Sequence, residues 1–150
     1  MTAATAPAVV ALAVLAFVGL GLPDAALGVA WPGIRDAFAQ PQSGLGLILA
    51  AASLGFLVAS NAAAALMDRL GPGRLVALAT LLLAASLIGQ ATAPGFAAVL
   101  AAAALLGVGG GAMDAGINGY AATRFSRRHM NWLHAGYGFG TAVAPFVMTA

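Results

Sequence analysis

The chain has 150 residues, 62% of them hydrophobic and only 7% charged, with a formal net charge of +2. Soluble domains average about 25% charged residues, so an ordinary water-soluble core is excluded, and the small net charge gives no footprint for nucleic acid. With no cysteine there are no disulfides or thiolate metal sites, and the charge resides in six arginines and four aspartates.

A run of about 20 apolar residues is enough to cross a bilayer as a helix. The first such run covers residues 8–30 and contains Pro23 and Asp24. Its opening could pass for a signal peptide, residues 8–22 followed by the small residues ALGVA, but the basic leader is missing and the run continues to spanning length. The polar stretch WPGIRDAFAQPQS leads to a second span over 44–67, DRLGPGR to a third over 75–93, and a bare APG to a fourth over 96–122. TRFSRRHMN then introduces a fifth over 132–150. The interruptions read as turns punctuated by Pro and Gly. The pattern predicts an all-α integral membrane protein with no soluble domain, residues 1–150 forming a single transmembrane helical unit in the lipid bilayer. It shows no strong internal repeat and requires no cofactor.

Arginine placement sets the expected orientation, because basic residues near helix ends stay on the cytoplasmic side. Arg69 and Arg74 fall in the second loop, and Arg124, Arg127 and Arg128 in the fourth. Both loops are expected to be cytoplasmic, and by alternation so is the N-terminus, in the inner (plasma) membrane. Trp31 and Trp132, near helix ends, read as interfacial anchors.

Small residues recur at four-residue spacing, Gly107, Gly111, Ala115 and Gly119 on the fourth span and Gly136, Gly140 and Ala144 on the fifth. Such stripes let helix backbones approach closely in lipid, and they predict compact packing.

Asp36 and Asp68 lie in loops, but Asp24 and Asp114 lie within spans. A charge at the centre of a membrane helix costs about 2.5–3.5 kcal/mol on insertion scales, so function is the default expectation there. Asn118 is four residues beyond Asp114, on the same helix face. A carboxylate in a poorly hydrated cavity takes up a proton more readily, as a proton carrier must; a buried Asp–Asn tie between helices is the structural alternative. Asp24 follows Pro23, which loosens the helical ladder where transporters place sites, or it caps a break there. The two carboxylates are expected about 15 Å apart along the membrane normal, two stations rather than a catalytic dyad. His134 is a candidate proton relay or an interfacial hydrogen-bonding residue, with Tyr137 one turn further on.

The loop AAALMDRLGPGRL, residues 63–75, resembles the signature between the second and third helices of the major facilitator superfamily. Leu66, Asp68, Arg69 and Gly71 match it, Ala64 replaces its first glycine, and Arg74 stands one place beyond its basic pair. GLPDAALGVAWP, DAGIN and RRHMNWLHAGYGFG look like the fucose–galactose–glucose:proton symporter branch. That resemblance implies that Asp24 and Asp114 serve coupling and sugar binding, with Asn118 as partner amide and Asn131 at the start of the fifth helix. His134 and Tyr137 stand where the sugar carriers more usually have glutamine and asparagine.

The resemblance implies five helices of a six-helix N-terminal half, so that the missing C-terminal helices or second half would complete the carrier and these residues would be a fragment. The expected function is proton-coupled alternating access for a small polar solute, a sugar being favoured; it is not an enzyme. Proton-driven efflux and a non-transporting interaction subunit are the alternatives. An intramembrane aspartyl protease would need a Gly-x-Gly-Asp run, and Asp114 instead follows Ala112 and Met113.

Overall fold

The computed structural model describes residues 7–149, so Ala150, the end of the fifth expected span, and residues 1–6 of the expected unit lie outside the described residues. Those residues form helices α1 (Pro7–Ala37), α2 (Gly44–Ala91), α3 (Phe96–Arg124) and α4 (Arg127–Thr149). Straight, the 48 residues of α2 would extend about 72 Å, more than twice a hydrocarbon core of about 30 Å. The helix does not stay straight. Gly71 adopts φ 73°, ψ 164° inside it, immediately before Pro72. Proline disfavours helical geometry in the residue before it, and the backbone region adopted there is open essentially to glycine alone. The expected loop DRLGPGR is thus reduced to a break at one residue, and α2 comprises two arms, residues 44–70 and 72–91.

The other boundaries also move. The first span continues as helix from residue 30 to Ala37, and the fourth reaches Arg124; each ends with an arginine in its last turn, where a cation complements the helix dipole. The fifth begins five residues earlier than expected, at Arg127, because Ser126 Oγ accepts a hydrogen bond of 3.3 Å from the His129 amide. This is an N-cap bond to the third helical residue.

Helices α1, α2 and α3 are long and apolar enough to cross a membrane. Large apolar side chains point outward, among them Leu12, Leu15, Leu54, Val58, Leu81 and Phe146. In water that arrangement would be unfavourable; in lipid it is the expected surface.

Two compact units divide the chain, residues 30–116 and the remainder. In the unit of residues 30–116, glycines bring α3 onto both arms of α2. A Cβ at Gly107 would strike the Ala52 carbonyl, one at Gly111 the Phe56 carbonyl, and one at Gly55 the Ala104 carbonyl. On another face, Gly109 lies against Ala79, Leu82 and Leu83, and Gly116 against Leu75 and Met67. Residue numbers rise together along α3 and the first arm but run oppositely along α3 and the second, so the arms are antiparallel and α2 doubles back at Gly71. Ile48, Leu75, Val99, Ala103 and Met113 fill the core, and buried Ser86 bonds its hydroxyl to the Leu83 carbonyl at 2.8 Å. Trp31, expected as an interfacial anchor, is instead 5% exposed and donates Nε1–H to Gln42 Oε1 at 3.1 Å. Its ring packs over Gly44 and closes the connection between α1 and α2.

The other unit holds residues 7–29 of α1, the end of α3 from Ile117, and α4. A Cβ at Gly140 would meet the Val18 carbonyl, one at Gly136 the Val14 carbonyl, and one at Gly21 the Tyr137 carbonyl. The numbers rise together, so α1 and α4 are parallel. Phe17, Ala121, Leu133 and Ala144 are buried here.

Candidate functional site

The backbone contact between α1 and α4 decides which side chains meet. With Gly21 seated against residues 137–141, Asp24 lies one turn beyond that contact on α1 and Tyr137 at the contact on α4. Tyr137 Oη donates to Asp24 Oδ2 at 2.5 Å, the length of an O–H bond to a carboxylate. Asp24 is exposed and Tyr137 half-buried, with Pro23 buried beside them. One residue anticipated for proton coupling and one anticipated for solute contact therefore form a single group.

His134, one turn before Tyr137, is exposed, and its ring stands edge-on to buried Phe17 with centroids 5.9 Å apart. Asn131 is exposed one turn earlier. Asn131, His134 and Tyr137 succeed one another at three-residue steps, so they line one side of α4.

Asp114 is half-buried on α3 beside buried Met113, in the unit of residues 30–116, while Asn118 is half-buried in the other unit. Helix α3 is continuous through both positions. Asp68, Arg69 and Arg74 are exposed on either side of the break at Gly71, so the loop motif occupies the reversal between the two arms of α2.

A basic, aromatic corner joins α3 to α4, and sequence reading had not assembled it. Tyr120, Phe125, His129 and Trp132 follow one another with ring centroids about 6 Å apart, at 6.1, 5.9 and 6.1 Å. Arg124 stacks over Tyr120 at 5.3 Å and Arg128 over Trp132 at 5.0 Å. Aromatic residues recurring at three- to five-residue steps beside arginines were the available signal.

The model of the family described as the Major Facilitator Superfamily matches residues 8–150. The chain belongs to the Major Facilitator Superfamily. Members of this superfamily are membrane transporters, so the chain is of a multi-pass membrane transport type that handles a solute across a lipid bilayer. No curated protein and no solved structure matches it. The five expected spans correspond to four helices, of which α1, α2 and α3 are long and apolar enough to cross a membrane.

Proposed function

We propose that this facilitator-type protein is a secondary transporter of the inner membrane that moves a small polar solute, a sugar, by proton-coupled alternating access. The N-terminus and the arginine-bearing turns at Gly71 and Phe125 are cytoplasmic in this reading. The observation that carries it is the Tyr137–Asp24 hydrogen bond. A carboxylate held by a phenol from a neighbouring helix has two distinct states. Ionised, it accepts a hydrogen bond from Tyr137 Oη; protonated, it becomes a donor itself and the tie between α1 and α4 changes character. A proton can then bias two conformations, provided that its affinity for them differs.

Asp114 and Asn118 form the second polar station on α3, and Asn131, His134 and Tyr137 supply hydrogen bonds to hydroxyl groups of the solute. Asp68 and Arg69 at the Gly71 reversal act as a cytoplasmic latch.

The test is charge movement in proteoliposomes carrying the full-length gene product, challenged with hexoses and deoxyhexoses beside Asp24→Asn and Asp114→Asn proteins. A sugar-evoked inward current that disappears in either variant supports proton–sugar symport. Silence to every sugar from well-folded protein, with proton-driven release of an amphipathic compound, would replace symport by efflux.

A further inference from the structure

Beside the basic corner, the first turns of α1 and α4 enclose a groove of about 440 Å³, lined by Pro7, Val10, Val14, Leu15, His129 and Trp132. It lies within one compact unit. None of the residues assigned above to solute or proton contact lines it. Its wall on the α1 side is aliphatic, and Leu15 within it and Leu12 nearby on α1 are 65% and 61% exposed.

Its other end is polar and cationic. Trp132, a wall of the groove, is 49% exposed and carries the Arg128 guanidinium on its face. His129, also in the wall, has a buried Nδ1 that makes no hydrogen bond. Arg124 and Arg127 lie within four residues of Arg128, and residues 1–23 and 115–150 contain no acidic residue. An apolar slot ending in the positive charge of Arg128 at a helix terminus complements an amphiphile with an anionic head.

The geometry points to a binding site for an anionic phospholipid, with one acyl chain in the groove between α1 and α4 and its phosphate against Arg128. The guanidinium over Trp132 is oriented by the ring, and Arg128 presents donors that match phosphate oxygens. Each arginine near a membrane surface favours an anionic lipid about fivefold. Negative lipid of the cytoplasmic leaflet is the natural source for a site at an arginine-bearing turn.

Trp132 is its own reporter. The full-length protein is reconstituted with phosphatidylcholine, and brominated phosphatidylglycerol or brominated phosphatidylcholine is added as quencher. The Trp132 emission is isolated by difference against Trp132→Phe. The expected result is a preference for phosphatidylglycerol of about fivefold or more, lost in Arg128→Gln and weakened for the unaltered protein at high salt. The salt arm keeps the test decisive should Arg128→Gln fail to fold. Equal quenching by both lipids overturns the anionic site, and quenching by neither overturns lipid occupancy, because the groove is then covered by protein.

Discussion

At the scale of single residues, the bond between Tyr137 and Asp24 separates function from packing. Tyr137→Phe keeps the ring in place and removes the donor. Hydrogen bonds to charged groups contribute about 1.5–3 kcal/mol, so coupled uptake is expected to fall by about tenfold to a hundredfold while the protein stays folded in detergent with a melting temperature lowered only modestly. Equal activity of Tyr137→Phe and the unaltered protein would remove this pair from the mechanism. Both residues were legible in the sequence as unusual polar groups in apolar helices, but their pairing was not. It depends on the α1–α4 register, which is set by Gly21 against residues 137–141, and no local pattern around Gly21 announces a partner more than a hundred residues away.

Among the elements, the glycines fall into two kinds that composition alone cannot separate. Gly140 and Gly107 meet a neighbouring carbonyl where a Cβ would stand, whereas Gly119 and Gly138 have nothing within 4 Å. Gly140→Ala forces α1 and α4 apart and is expected to lower the thermal midpoint in detergent clearly. Gly138→Ala meets no neighbour and is expected to be neutral or to stabilise by up to about 1 kcal/mol through helix propensity. Similar midpoints for the two variants would contradict the seam. The stripe of residues 107, 111, 115 and 119 was visible as a period of four, yet Gly119 at its end is unused by packing, and Gly109 and Gly116, outside the stripe, seat the second arm of α2. Two partners on different faces of one helix do not leave one period. At the reversal, Gly71→Ala places a side chain at φ 73° and is expected to cost about 1–3 kcal/mol, while Gly73→Ala, with open space around it, is expected to cost far less. The same comparison of thermal midpoints measures both.

Across the whole molecule, the all-α membrane architecture was legible because apolar runs and basic turns leave few alternatives in lipid. Its count of helices differed only where a reversal was concentrated into one glycine. The absence of cysteine makes the proposed orientation directly measurable. A single cysteine at Ser126→Cys, in the turn before α4, is expected to react with an impermeant maleimide only from the cytoplasmic side, and one at Ser43→Cys, before α2, only from the opposite side. The reverse pattern would invert the topology and move the arginine-bearing turns out of the cytoplasm.

The parallel seam of α1 and α4 has a mechanical consequence. Where backbones touch through glycine, few side chains stand in the seam, Val14 and Val18 against Gly136 among them, so a small axial slide meets little obstruction. The phenol–carboxylate bond adds a catch to the register that the glycine contacts set. Advancing α4 by one residue's rise, about 1.5 Å, would carry the Tyr137 hydroxyl out of bonding range of Asp24 if the bond lies along the slide. Helix register and the occupancy of that bond would then be two readings of one coordinate.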